Sequence, residues 1–316
     1  MAYLTSWNGT SVTEFLLLGF SDTPEMQHFL FALFLIFYVV TLATNFLLLI
    51  TVSTDRSLHT PMYFFLGNLS FLEIIYTSNI VPRMLTGLIS EEKTISFMDC
   101  MIQFYFFGSL GGTECLLLSV MSYDRYIAIC NPLHYTTVMN SNMCVWLAAS
   151  SWISGFLITL ITVLLMISLT FCGPNEINHF FCDFSPLLKL ACSDTYLFEK
   201  TSFILSSSLT LIPFLLTVVS YTYILSAVIK QASGTRSKKA ISTCSTHLIV
   251  VTTFYGTLIT MYVVPAAKHS VDTSKIFSIF YTIVTPMINP LIYSLRNKKV
   301  REALKRLVDA KLVFWK

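Results

Sequence analysis

The chain has 316 residues, 54% of them hydrophobic and 12% charged, with a formal net charge of +3. Soluble domains carry roughly 25% charged residues, so this balance excludes an ordinary soluble protein and indicates one that crosses a membrane repeatedly. The small positive excess is segregated along the chain and implies no nucleic-acid partner.

The first 25 residues hold no Lys or Arg, and they include a glycosylation sequon at Asn8-Gly9-Thr10. The apolar run Phe15 to Phe20 is too short, and has no basic flank, to be a cleavable signal peptide. The first membrane segment is expected to serve as the targeting signal. A hydrocarbon core of roughly 30 Å needs about 20 apolar residues per helix. Such runs lie at Phe29 to Val52, Met62 to Leu85, Ile102 to Ile129, Cys144 to Leu169, Leu197 to Ile229, Ile241 to Val264 and Ile276 to Leu295. None alternates with period two, which argues against a transmembrane barrel.

Seven crossings place the two ends on opposite sides. Arg296, Lys298, Lys299, Arg301, Lys305, Arg306, Lys311 and Lys316 crowd the tail, and Lys230, Arg236, Lys238 and Lys239 follow segment five. Basic loops stay in the cytoplasm, so the N-terminus is outside. The reading is an all-α membrane protein: an extracellular segment 1–26, a seven-helix transmembrane domain 27–295 and a cytoplasmic tail 296–316. In that tail Val300, Ala303, Leu304, Leu307 and Val308 recur at helical spacing between basic residues. They predict a short amphipathic helix on the inner leaflet, with membrane lipids as partners. A second sequon, Asn68-Leu69-Ser70, falls inside segment two, so Asn8 is the reachable site.

Cys115, Cys130, Cys144 and Cys244 lie in or near the membrane, where a small buried hydrophobe is the simplest role. Cys100, Cys172, Cys182 and Cys192 fall on the oxidising side, and these four allow three pairings. Three of them lie in the long connection from about Thr170 to Tyr196, where Pro174 and Pro186 are expected to break regular structure. Stapled in this way, the loop can form a lid over the bundle.

Segment three carries the most chemistry. Asp124-Arg125 puts two charges at the end of an apolar stretch, which is costly unless they are paired or reach water. Glu114 precedes Arg125 by nearly three helical turns, about 16 Å along the same face. Glu73, in segment two, is a second acid within the membrane. The two share a proton or a cation, bond to neighbouring polar groups, or are simply protonated structural acids. In segment seven Pro290 cannot donate a backbone hydrogen bond and loosens the helix. Asn289 is expected to satisfy a freed group, and Tyr293 follows one turn on. Pro213 offers a similar bend before Tyr221 and Tyr223.

PMYFFLGNLS (Pro61 to Ser70), MSYDRYIAICNPLHY (Met121 to Tyr135), Ser220-Tyr221, KAISTCSTHL (Lys239 to Leu248), Phe254-Tyr255-Gly256 and PMINPLIYSLRNK (Pro286 to Lys298) each fall on a successive segment. From about Glu14 to Lys299 the chain resembles a rhodopsin-like G-protein-coupled receptor, specifically a class II, tetrapod-type odorant receptor. The resemblance implies a multi-pass plasma-membrane protein of olfactory cilia that is not an enzyme. It would bind a small volatile molecule and activate a stimulatory heterotrimeric G protein to raise cyclic AMP. It implies a switch of Asp124, Arg125 and Tyr126, with Tyr221, Asn289, Pro290 and Tyr293 rearranging toward it. It selects the disulfides Cys100–Cys182 and Cys172–Cys192, and it casts Glu73 and Glu114 as a sodium site with no other cofactor. Asp is usual in the family where Glu73 stands.

The expected ligand wall runs along segment three through Phe104, Phe107, Gly108, Gly111 and Gly112. By resemblance it continues through Ser202, Leu205, Ser206 and Leu209, then Tyr255, Leu258, Ile259 and Tyr262, then Ile279 and Thr282. Amine receptors carry an Asp five turns before the switch Arg, where this chain has Phe107. Aromatic walls with a few hydroxyls favour a neutral, mostly apolar ligand. The rival is an ion or proton carrier using Glu73 and Glu114. No HExxH-type metal spacing appears, and His247 stands near the cytoplasmic end of segment six in a packing or switch role.

Overall fold

The computed structural model describes residues 12–20, 23–90, 93–172, 174–230, 235–260 and 271–314. Asn8 and Tyr262 lie outside these residues. Helices α1 (Pro24–Thr54), α2 (Pro61–Ile89), α3 (Phe97–Cys130), α5 (Ser141–Ile167) and α7 (Tyr196–Lys230) supply five spans. Helix α8 (Thr235–Leu258) is the sixth. The seventh is α9 (Val271–Ile279), a π-helical turn (Phe280–Val284) and α10 (Thr285–Arg296). Short α4 (Tyr135–Val138) lies between α3 and α5, and α11 (Lys298–Phe314) follows the bundle. This is a seven-helix membrane bundle. Among the described residues six helical stretches are long and apolar enough to cross a bilayer, and His247–Leu258 is a shorter apolar helix.

The outward faces confirm the solvent. Phe29, Ile36, Leu157, Ile204 and Leu215 are each more than half exposed, an arrangement stable against lipid and costly against water. Inside, α2 and α3 form the buried centre, with Leu66, Leu69, Leu72, Leu117 and Leu118 at 1% exposure or less. The α3–α5 crossing is close because residue 155 is Gly. A Cβ there would stand 2.7 Å from the Ser109 carbonyl oxygen and 2.9 Å from the Thr113 nitrogen. Small residues let membrane helices approach in this way.

Helix starts follow local chemistry. Ser96 Oγ accepts from the Asp99 amide at 3.0 Å to cap α3, and Asn140 Oδ1 accepts from the Met143 amide at 2.9 Å to cap α5. Pro24 and Pro61 open α1 and α2, where a missing N–H costs nothing.

Two features depart from what the sequence predicts. Strand β1 (Glu14–Leu17) pairs antiparallel with β2 (Thr94–Ser96) and parallel with β3 (Glu176–Ile177), forming a three-stranded sheet over the outer end. The alternation that buries Phe15 and Leu17 extends over just four residues, too short to stand out in sequence. Pro186, expected to break structure, instead lies in the first turn of α6 (Phe184–Leu188), where no helical hydrogen bond is lost.

The long loop is stapled. Cys100 bonds Cys182 and Cys172 bonds Cys192, with Cα–Cα distances of 5.5 and 5.9 Å. The Cys182 amide donates to Gln103 Oε1 at 2.9 Å, while Gln103 and Asn79 exchange side-chain-to-backbone bonds that join α3 to α2. His179 Nε2 lies 3.3 Å from Ser278 Oγ on α9, and Lys275 Nζ donates to the Gly19 carbonyl. Burial, reinforced by the Lys275 charge, pulls the His179 imidazole down to about 3, so it is neutral at physiological pH.

At the inner end α11 packs beneath the bundle. Arg306 donates to Asp55 Oδ2 at 2.7 Å and to Ser57 Oγ at 3.1 Å. The Ser57 hydroxyl, Arg306 and the Ser57 amide together hold the Asp55 carboxyl down to about 2.

Candidate functional site

A cavity of about 690 Å³ lies in the outer half of the bundle. One face of α3 lines it through Phe104, Phe107, Gly108, Gly111, Gly112 and Cys115, a helical repeat that keeps these residues on one side. Ser202, Leu205, Ser206 and Leu209 of α7 stand opposite, and Leu258 of α8 closes a corner. A Cβ on Gly111 would meet nothing within 4 Å, so this residue is an open floor of the cavity. Ser202 is buried, and its Oγ has no hydrogen-bond partner.

Phe107 is the hub of the wall. Its ring centroid lies 4.9 Å from Phe181 of the loop, 5.7 Å from Tyr76 and 6.0 Å from Tyr281. Four other described positions expected on the wall are not among the residues that line this cavity. The Tyr255 hydroxyl donates to the Cys115 carbonyl at 2.6 Å, placing the ring beneath the cavity as a tie between α3 and α8. Thr282 is fully buried and bonds back to the Ser278 carbonyl at 2.6 Å. Ile259 and Ile279 pack against the central core.

Sequence reasoning missed the contribution of α5. Ile158, Thr159 and Thr162 line the cavity, as do Phe184 and Leu188 of α6. An apolar helix shows no sequence signal for which of its faces borders a void. The neighbouring helix decides that, and here it is the α3 glycine face.

The inner end holds the charge pair. Arg125 Nε donates to Asp124 Oδ2 at 3.0 Å and a terminal guanidinium nitrogen bonds the same oxygen. Tyr135 of α4 donates to Asp124 Oδ1 at 2.8 Å. Asp124 is fully buried, whereas the Arg125 side chain keeps 17% exposure. Burial, then the charge of Asp124, raises the Tyr135 phenol above its usual range, keeping it a donor. Tyr126 packs near Tyr223, with centroids 5.7 Å apart. Tyr221 and His247 Nδ1 are 2.6 Å apart, and the His247 ring lies 6.5 Å from Tyr293. His247 is therefore a member of this cluster and links α7 to α8.

Between the two ends, Asn289 Nδ2 donates to Glu73 Oε1 at 2.6 Å. The group freed by Pro290 is the Pro286 carbonyl, four residues back. Asn45 of α1 donates to it at 3.2 Å, so the repair expected of Asn289 comes from another helix. Both carboxylate oxygens of Glu114 are buried without a hydrogen-bond partner. Among the described residues no group of three or more His, Cys, Asp and Glu could hold a metal ion. A monovalent ion, which accepts neutral oxygens beside a carboxylate, remains compatible with this donor set.

Comparison with known proteins decides the family. The family description "Olfactory receptor" matches residues 34–311. The chain belongs to the olfactory receptor family. It is 49% identical to human olfactory receptor 10A7 over 306 residues, covering 97% of both chains. It is 48% identical to human olfactory receptor 5A1 over 314 residues, covering 99% of this chain and 100% of that one. Against human olfactory receptor 6B1 the identity is 50% over 300 residues, covering 95% and 96%. As a member of the olfactory receptor family the protein is a multi-pass membrane receptor and not an enzyme.

Proposed function

We propose that this olfactory receptor binds small, neutral, mostly apolar volatile molecules in the outer cavity and activates a stimulatory heterotrimeric G protein to raise cyclic AMP. The observation that carries the reading is the cavity itself: about 690 Å³, walled mainly by aromatic, aliphatic and hydroxyl side chains, with Asp183, Glu199 and Lys200 also on its lining and an unpaired, buried hydroxyl at Ser202. Ligand sites of this size and lining are the rule for small molecules. A contact area of about 200 Å² at 25 cal/mol per Å² supplies roughly 5 kcal/mol before the entropy of binding is subtracted. Micromolar or weaker affinity follows. The proposed location is the plasma membrane of the cilia of olfactory sensory neurons, with Asn8 glycosylated outside.

The signal would leave through the Tyr255–Cys115 tie and the Tyr221–His247–Tyr293 cluster to the Asp124–Arg125 pair, where Tyr126 also packs. The G protein would meet Arg125 at the inner face.

A screen of a few hundred volatile compounds with a cyclic AMP readout tests the reading. For any active compound, Gly111→Phe should shift the half-maximal concentration upward at least tenfold at unchanged surface level, because the ring fills open floor. Ser202→Ala should cost up to about tenfold for compounds with a polar atom and little for hydrocarbons. Unaltered potency in Gly111→Phe would place the ligand elsewhere.

A sodium ion between Glu73 and Glu114 would stabilise the resting arrangement. It would satisfy the orphaned Glu114 oxygens and join α2 to α3, with Asn289 holding Glu73 in place. The expected result is a higher melting temperature of purified receptor in sodium chloride than in choline chloride, with the difference lost in Glu114→Gln. Equal melting temperatures in the two salts would remove the ion from the account.

A further inference from the structure

The α5–α7 seam gives the cavity a second boundary, and it faces lipid. Phe203 lines the cavity and is 53% exposed. Across the seam Ile158 and Thr162, one helical turn apart on α5, also line the cavity and are only partly buried. Against α3, by contrast, α5 is held close at Gly155, where an added Cβ would strike backbone. The same helix is thus tight on one side and parted from its neighbour on the other.

The depth of this seam is marked. Glu199 and Lys200 are exposed, and the Lys200 ammonium sits 5.8 Å from the centroid of the exposed Tyr196 ring. Charged groups beside an aromatic belt belong at headgroup level. Phe203 lies about one turn, roughly 5 Å, further in, which is the outer-leaflet hydrocarbon. Above the cavity, Cys182 is tied to Cys100, Phe181 packs on Phe107, and Phe184 stacks on Phe198 at 5.3 Å. These contacts cover part of the watery side, where the exposed Tyr196, Glu199 and Lys200 also line the cavity.

We propose that the α5–α7 seam is a lateral portal, gated by the Phe203 ring, through which apolar ligands pass between the outer leaflet and the cavity. The proposal deepens the odorant reading and rests on it for the identity of the traffic. Its physical advantage is concentration. A molecule burying about 150 Å² of apolar surface is enriched several-hundredfold in hydrocarbon over water at 25 cal/mol per Å², so a portal opening to lipid samples the richer phase.

Access can be measured without an odorant. Full-length receptor with Gly111→Cys and Cys115→Ala, reconstituted in phosphatidylcholine nanodiscs, would be labelled with N-phenylmaleimide, which is neutral and bilayer-soluble. Labelling with a permanently cationic methanethiosulfonate would run in parallel. Protein carrying Cys115→Ala alone gives the background from the other cysteines, and each rate is normalised to that reagent's rate with free cysteine. The neutral reagent should then react at least tenfold faster than the cation. Phe203→Ala should raise the neutral rate, and Thr162→Trp or Ile158→Trp should lower it at least fivefold. Equal normalised rates for the two reagents, or a neutral rate that neither tryptophan variant lowers in folded protein, would overturn the portal. Because this readout involves no response, a failed odorant screen and a failed portal are separate outcomes.

Discussion

Arg125→Gln is expected to abolish ligand-evoked cyclic AMP, at least a hundredfold in potency or entirely in amplitude, with receptor still at the cell surface. Arg125 bonds Asp124 through two guanidinium nitrogens, while Tyr135 holds the other carboxylate oxygen. Asp124 is fully buried, so removing its partner outright would leave a charge whose desolvation is uncompensated, a cost of about 3–5 kcal/mol. Arg125→Ala therefore loses signal and also risks surface delivery, whereas Gln keeps a donor within reach of Asp124. The reverse change, Asp124→Asn, removes the charge that restrains Arg125 and should raise ligand-independent cyclic AMP several-fold. Full signalling by surface-delivered Arg125→Gln would exclude the guanidinium as the output group.

Cys100→Ser should cost more surface receptor than Cys172→Ser. The Cys100–Cys182 bond closes a separation of 82 residues and Cys172–Cys192 one of 20. In the chain-entropy account these correspond to ~4.5 and ~3.3 kcal/mol of stabilisation, within a total that is about 5–15 kcal/mol for most folded domains. The larger loop also carries more structure. Cys182 hangs on Gln103, and Phe181 packs against Phe107 at the head of the cavity. Flow cytometry of tagged receptor, with melting temperature of the surviving protein, reads the difference. Equal loss in both variants would mean that loop length is not what sets the cost.

Much of this was legible locally. Hydropathy marked the spans, six of them long apolar helices among the described residues, and the Lys and Arg bias predicts their orientation. The α3 face from Phe104 to Gly112 was readable because a single helix's periodicity fixes which of its own residues align, and all five of those positions line the cavity. What the chain concealed was of two kinds. A four-residue strand, Glu14–Leu17, is too short to show a period and exists because Thr94–Ser96 and Glu176–Ile177 supply its hydrogen bonds. Partners across helices were equally hidden: the carbonyl freed by Pro290 is met by Asn45, whose separation from Pro286 is 241 residues.

The sequence by itself determined the membrane class, the seven spans, their orientation and the position of the charge pair at the inner end, because each depends on composition or on periodicity within one segment. The tertiary structure alone decided that Tyr255 turns down to the Cys115 carbonyl and that α5 forms a cavity wall. It also decided that His247 joins Tyr221. Those facts depend on crossing angles and on contacts such as the one permitted by Gly155. A pattern running along one helix has no access to the geometry between two.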